Sequence, residues 1–165
     1  WQTIHPPNNY NFGVETGQYY TKHRQGGWDE LAKISSKYKI VAEKLHPHVT
    51  QDVMKRSKIG ISPYGQCEVC YRDFEIPEFG VAMIKPNMDI VNTEPNPYIA
   101  NETYISVDLD WKNLNETVIK MLDNPNKLSY IIDNSRKVYD ELYSAHSFCK
   151  YWYDFFANLS GVDSE

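Results

Sequence analysis

The chain has 165 residues, 41% of them hydrophobic and 14% aromatic, which is enough for one globular domain over residues 1–165 with a sizeable buried core. The formal net charge of −5 argues against a general nucleic-acid or membrane-surface binder, and no apolar run approaches the roughly 20 residues that cross a bilayer. Three cysteines do not make a disulfide framework and no signal peptide is visible, so we expect a cytoplasmic protein. Because the chain begins with Trp1 rather than Met, we expect a fragment or a trimmed chain.

The N-terminal part is expected to supply two strands and one helix. Residues 1–18 are rich in Pro, Asn and Gly, and the weak alternation of Tyr10 to Glu15 predicts a first strand that ends at Gly17. Apolar spacing predicts a helix over Trp28–Tyr38, and the run Lys39–Leu45 predicts a second strand.

A compact basic cluster, Lys22, His23 and Arg24, follows the first predicted strand. At the carboxyl end of a strand, Lys22 and Arg24 would face the phosphates of a ligand. A solvated basic loop explains the same cluster equally well, so both interpretations stay open.

The central part of the chain reads as a βαβ unit. The sequence predicts a short buried strand over Ile59–Ser62, a turn over Pro63–Gln66 and a helix over Cys67–Ile76. Gly80 then marks the end of the helix, and a second apolar strand is predicted over Val81–Ile84.

The other predicted elements flank this unit. They are a helix over His48–Ser57, a loop over Asn87–Pro97, a strand over Tyr104–Asp108, and helices starting at Asn113, Lys127 and Ser147, the last followed by a polar tail to residue 165. Four or five short strands that alternate with helices predict an α/β fold: a single Rossmann-like domain whose mostly parallel sheet carries helices on both faces. Ligands on such sheets bind past the carboxyl ends of the strands, where the turn after Ile59–Ser62 lies.

The predicted central helix has one polar face. Glu68, Arg72 and Glu75 are four and seven residues apart, which puts them on one side of a helix, while Cys70 and Phe74 point toward the sheet. The loop and first turn would offer backbone N–H groups to an anion, Arg72 a forked cation, and Glu75 an acceptor for sugar hydroxyls. A surface helix with an ion pair between Glu68 and Arg72 is the more ordinary use of such spacing.

The segment Gly65-Gln-Cys-Glu-Val-Cys-Tyr-Arg-Asp-Phe-Glu75, with Gly80 and Ile84-Lys-Pro86 behind it, resembles the donor-site segment of GT-B glycosyltransferases. More narrowly, it is similar to the C-terminal domain of glycosyltransferase group 1 (family 4-like) and to its exostosin-like relatives. There a glycine-rich turn opens a helix that carries a pair of acids, and a Gly and a strand follow. The resemblance covers roughly residues 19–156 and is specific over about 57–86.

The resemblance implies that this chain is the C-terminal half of a GT-B fold and binds a nucleotide diphosphate sugar. The reaction would transfer a glycosyl unit to an acceptor hydroxyl in glycan biosynthesis, with retention, without a metal or other cofactor, and with an acceptor domain or partner chain supplying the rest. It implies catalytic roles for Glu68, which would orient the donor, and for Arg72, which with Lys22 or Arg24 would stabilise the leaving diphosphate. The implied donor-binding residues are Tyr64, Gly65, Gln66, Glu75, Lys22, Arg24 and Lys85, with Glu75 on the ribose.

Three alternatives stay open. The first is a non-catalytic or partner-dependent binding module of the same fold. The second is a thiol oxidoreductase, because Cys67-Glu-Val-Cys70 is a Cys-x-x-Cys at a predicted helix start, where thiol pKa values fall. The third is a metal site, for which Asp108-Leu-Asp110 and the pair His46 and His48 are weak patterns, and we expect ordinary loops at both places.

Overall fold

The computed structural model of the chain describes residues 14–42, 45–65 and 67–160. The described residues form six helices and three strands. In chain order these are α1 (Val14–Ala32), α2 (Pro47–Lys55), β1 (Ile59–Ile61), α3 (Arg72–Glu78), β2 (Ala82–Pro86), β3 (Ile105–Val107), α4 (Leu114–Leu122), α5 (Pro125–Tyr143) and α6 (Ala145–Ser160). None of these helices combines the length and the hydrophobicity that a membrane span requires.

The three strands form one parallel sheet in the order β1-β2-β3. Ile59 pairs with Ala82, and Ile84 pairs with Ile105. Since α3 connects β1 to the parallel β2, the βαβ prediction for the central unit is confirmed. The α/β class, with a parallel sheet flanked by helices, is confirmed with it, although the described residues hold three strands rather than the four or five expected.

Helices cover both faces of the sheet, so the strands are buried on both sides, as parallel strands usually are. One face packs on α1, α4 and α5 through a cluster that includes Ile59, Ile61, Ala82, Ile84, Ile105, Val107, Leu31, Leu114, Val118, Leu128 and Ile131. The opposite face packs Met83 against Met54 of α2 and Ile76 of α3. This two-sided burial leaves the ends of the strands as the places where a ligand can reach the sheet.

The N-terminal prediction is wrong from Val14 onward, because α1 is a helix where the strand Tyr10–Glu15 was expected to end. Residues 1–13 lie outside the described residues. Glycines ordinarily weaken a helix, but at Gly27 the missing side chain leaves room for the ring of Trp111 to pack directly on α1. A Cβ added at Gly27 would lie 3.1 Å from Trp111 Cε2.

The region after α1 also differs from the prediction. The helix expected over Trp28–Tyr38 ends at Ala32 and continues as turns. Residues 39–42 and Leu45 belong to no strand, and residues 43–44 of the predicted strand lie outside the described part of the chain. Val41 is nevertheless buried, so the apolar run marks a core segment that has no strand partner among the described residues.

The central helix begins later than expected. It was predicted over Cys67–Ile76 and starts at Arg72, after a run of bends. A reciprocal pair of contacts sets this start: the Asp73 N–H donates to the Cys70 carbonyl, and the Cys70 N–H donates to Asp73 Oδ2 at 3.1 Å. Gly80, with φ of 68°, then turns the chain into β2.

Candidate functional site

The carboxyl ends of the three strands meet at one edge of the sheet. Ser62–Gly65 follows β1, Asn87 follows β2 and Asp108–Trp111 follows β3. Helix α1 packs across this edge, with the side chains of His23 and Arg24 next to the loop after β1. The edge predicted to hold a ligand is therefore partly covered by an element that was not predicted to be a helix there.

An aromatic stack joins α1 to the edge. The ring of His23 lies 5.0 Å from that of Tyr64 and 4.9 Å from that of Trp111. Trp111 Nε1 donates to the His23 carbonyl at 2.8 Å, and the Tyr64 hydroxyl donates to the Asn87 carbonyl at 2.8 Å. Tyr64 and Trp111 are each 1% exposed. The Tyr64 ring, predicted to bind the donor, is therefore part of the core.

His23 is neutral near pH 7 in this environment. Burial, followed by the positive charges of Lys85 and Arg24, lowers its pKa from 6.5 to about 4, against an opposing hydrogen bond with the backbone of Leu109. Its Nε2 atom is buried and has no hydrogen-bond partner among the described residues. The basic cluster of the sequence thus contains two charged groups rather than three.

Those two charges do not face the same way. Arg24 Nε donates to the Tyr64 carbonyl at 3.0 Å, and a Cβ added at Gly65 would lie 3.2 Å from Arg24 Nη2. Lys22 is exposed and, two residues earlier on a helix, lies about 200° around its axis from Arg24. The structure therefore brings Arg24, and not Lys22, to the loop after β1.

The predicted polar face is divided. Glu68 precedes α3 and lies near Tyr64, whose pKa is raised to about 12 by burial first and by the Glu68 charge second. Arg72 Nη1 pairs with Glu75 Oε2 at 2.8 Å, and the side chains of Arg72 and Glu75 are 8% and 37% exposed. Arg72 and Glu75 do form one unit, while the shared helix face with Glu68 is wrong because the helix starts at Arg72.

Two backbone donors expected to serve an anion are already engaged. The Gly65 N–H donates to the Cys67 carbonyl at 3.0 Å, and the Cys70 N–H donates to the Asp73 carboxylate. Gln66 lies outside the described residues. An anion at this loop would therefore depend on side-chain cations more than on these two amides.

The sequence interpretation missed a buried ion pair. Lys85, predicted to bind the donor, is completely buried, and its Nζ lies 3.0 Å from Asp73 Oδ1. Asp73 also accepts hydrogen bonds from the hydroxyls of Ser62 and Tyr98. A signal existed, since a lysine in an otherwise apolar strand needs a buried partner, but the sequence offers several acids and does not single out Asp73.

The cysteine pair does not sit at a helix start. Both Cys67 and Cys70 precede Arg72, where α3 begins, so the helix-terminus argument for a low thiol pKa does not apply. Burial first, and then the Asp73 charge, raise the pKa of the Cys70 thiol. This environment disfavours Cys70 as an activated thiolate.

The candidate metal patterns lie on the surface. Asp108 and Asp110 are exposed, and Asp110 pairs with Lys112 at 2.5 Å. His46 and His48 stack on each other at 5.4 Å and are also exposed. Among the described residues, no three His, Cys, Asp or Glu side chains are grouped in a way that would hold a metal ion.

The fold and site define an α/β protein whose three-stranded parallel sheet is flanked by helices, with Arg24 next to Gly65 at the carboxyl edge. A comparison with protein-family models finds no match for this chain, and a comparison with curated proteins finds none either.

Proposed function

We propose that this chain is the donor-binding domain of a GT-B-type glycosyltransferase. It would bind a nucleotide diphosphate sugar for transfer of the glycosyl unit to an acceptor hydroxyl, with retention and without a metal. The observation that carries the proposal is the place of Arg24, whose guanidinium lies beside Gly65 just past the carboxyl end of β1. Ligands of parallel α/β sheets bind at this edge, and a guanidinium fork suits phosphate oxygens.

Each polar group has a role in this proposal. Arg24 contacts the diphosphate and stabilises the charge that develops on it as the glycosyl unit leaves. Glu75, with 37% of its side chain exposed, accepts hydrogen bonds from the ribose hydroxyls. Arg72 holds Glu75 in place through the 2.8 Å contact, and its low exposure of 8% limits its contact with the diphosphate. Glu68, near the Tyr64 loop, orients the donor sugar.

Nucleotide binding is the first test. The chain is titrated with UDP, GDP, ADP, CMP and dTDP, with and without Mn²⁺, by thermal shift and ligand-observed NMR. We expect saturable binding of one nucleoside diphosphate without the metal. Binding that requires Mn²⁺ would direct attention to Asp108 and Asp110 instead, and binding of none of the four nucleoside diphosphates would refute the proposal.

Two matched pairs of variants locate the site. Glu75→Ala should weaken binding about 5- to 150-fold, the equivalent of one lost contact of about 1–3 kcal/mol, while Glu78→Ala, at the exposed end of α3, should not. Arg24→Ala should weaken binding by a similar factor, while Lys22→Ala, on the exposed side of α1, should change it little. Equal effects within either pair would place the ligand elsewhere.

A non-catalytic or partner-dependent binding module is the second candidate. The observation in its favour is that Arg72 is 8% exposed and already paired, which limits its part in catalysis. A turnover assay on this chain alone should be blank under both candidates, and glycosyl transfer by it would contradict both. The two differ in sugar selectivity: a donor domain should bind sugars on the same nucleotide with unequal affinity, whereas a nucleotide-binding module should bind them equally.

A further inference from the structure

The Asp73 carboxylate is a junction between four segments of the chain. Its Oδ1 accepts from the Ser62 hydroxyl, after β1, and from Lys85 Nζ of β2 at 3.0 Å. Its Oδ2 accepts from the Cys70 N–H at 3.1 Å and from the Tyr98 hydroxyl at 2.7 Å. One side chain in the first turn of α3 thus ties this helix to two strand ends and to the loop that precedes β3.

The chemistry of this junction is that of an internal anchor. The side chains of Asp73 and Lys85 are 2% and 0% exposed, so neither charge meets solvent. Buried charges persist only when they are paired and their remaining positions are hydrogen-bonded. A carboxylate has about four acceptor positions, and four donors within the chain already fill them. Asp73 therefore has no position left for a ligand.

The anchor lies inside the unit that carries the candidate site. Arg72 precedes Asp73 by one residue, and Glu75 follows it by two, in the same turn of α3. Two residues on a helix are about 200° apart, so Asp73 faces the interior when Glu75 faces outward. Loss of these contacts would release the first turn of α3 from the segments that hold it and, with it, the Arg72–Glu75 pair.

We propose that Asp73, held by Lys85, is a positioning residue that keeps Arg72 and Glu75 in place for a nucleotide diphosphate sugar. This inference rests on the proposed function for the identity of the ligand. It assigns Lys85 an indirect role through Asp73, in place of the direct donor contact that the sequence suggested. The competing explanation is that the Asp73–Lys85 network serves stability alone. A variant that keeps the protein stable but does not hold Arg72 and Glu75 in place distinguishes the two explanations.

The double variant Asp73→Asn/Lys85→Met does this, because it removes both buried charges together and should be more stable than either single variant. With the lysine replaced, three donors remain, the Cys70 N–H and the hydroxyls of Ser62 and Tyr98. The single carbonyl oxygen of Asn can accept at most two hydrogen bonds, so we expect amide hydrogen exchange over residues 62–78 to rise at least tenfold, with exchange in α4 and α5 unchanged. Affinity for whichever of UDP, GDP, ADP and dTDP the wild type binds should fall at least tenfold. The matched control is Asp154→Asn/Lys150→Met, an exposed ion pair of 2.5 Å on α6, which should change neither readout.

Three results for the double variant would each overturn the inference. They are amide exchange rates over residues 62–78 equal to those of the wild type, a uniform rise in exchange across the whole chain, and unchanged nucleotide affinity. If the wild type binds none of the four nucleotides, the proposed function fails while the exchange measurement still decides whether Asp73 fixes α3. Should the double variant not fold, Ser62→Ala removes one donor and leaves the ion pair. It should then give a smaller rise in exchange confined to the same segment, and no rise would count against the inference.

Discussion

Lowering the pH should destabilise this protein through His23, in a range that the structure defines. The unfolded chain takes a proton at this histidine near pH 6.5, whereas the folded chain takes it only near pH 4, because burial opposes the charged form most and the charges of Lys85 and Arg24 add to the effect. Between these values the unfolded state binds more protons, so stability falls as the pH falls. The stabilisation is complete above about pH 6.5 and is lost by about pH 4. At about 1.4 kcal/mol for each pH unit, the loss amounts to roughly 3 kcal/mol.

The assay is urea unfolding followed by tryptophan fluorescence at several pH values from 7.5 to 3.5, for the wild type and for His23→Gln. Carboxylates also titrate in this range, so the informative quantity is the difference between the two pH profiles. The wild type should lose roughly 3 kcal/mol more than His23→Gln between pH 6.5 and 4. His48→Gln, at an exposed position of α2, should follow the wild-type profile. Parallel profiles for the wild type and His23→Gln would refute the reasoning.

Three further substitutions test the packing around the site by urea unfolding. Gly60→Ala should cost about 1–3 kcal/mol, because the new Cβ would lie 2.8 Å from Ile76 Cδ1, and adding Ile76→Val should recover part of this loss. If Gly60→Ala lowered the free energy of unfolding equally in the wild-type and Ile76→Val backgrounds, the steric explanation would be contradicted. Trp111→Phe should cost roughly 2–4 kcal/mol, since it removes buried volume and the indole hydrogen bond to the His23 carbonyl. Trp28→Phe, at a side chain 39% exposed, should stay within about 0.5 kcal/mol. Tyr98→Phe should cost about 1–3 kcal/mol because a buried carboxylate loses the 2.7 Å hydrogen bond, and a neutral result would mean that the carboxylate finds another donor.

The sheet and the later helices could be predicted from the sequence because their signals are local. Short apolar runs bounded by glycine and proline mark β1 and β2, and apolar spacing marks α4, α5 and α6. Helix α1 could not be predicted in this way. Its glycine pair signals a loop, whereas in the structure Gly27 makes room for the ring of Trp111, more than 80 residues later in the chain. The pattern of neighbouring residues cannot indicate a contact between residues so far apart in the sequence.

In the candidate site, too, the features that depend on local spacing could be predicted, and those that depend on distant contacts could not. The spacing correctly placed Arg72 and Glu75 side by side, but the ion pair expected for Arg72 was with Glu68, and the structure pairs it with Glu75 at 2.8 Å instead. The role of Lys85 could not be predicted, because its partner is fixed by how α3 lies on the sheet, and the start of α3 depends in turn on Asp73. Asp73 thus both sets the start of α3 and neutralises the buried Lys85. Predicting its partner would require the position of α3, and predicting where α3 starts would require the role of Asp73.

The enclosure of Tyr64 limits how a nucleotide can bind at this edge. Its ring packs on His23 and lies 5.2 Å from Lys85 Nζ, and it is 1% exposed, so a base cannot stack on it while α1 stays in place. Stacking there would require α1 to leave the edge and would break the hydrogen bond between Trp111 and the His23 carbonyl. Binding through Arg24 and Glu75 requires no such movement, because Glu75 is partly exposed and Arg24 already lies at the loop. A nucleotide that binds as proposed should therefore leave the exchange protection of α1 unchanged or increase it, and a loss of protection in α1 on binding would show that the ligand occupies the aromatic stack instead.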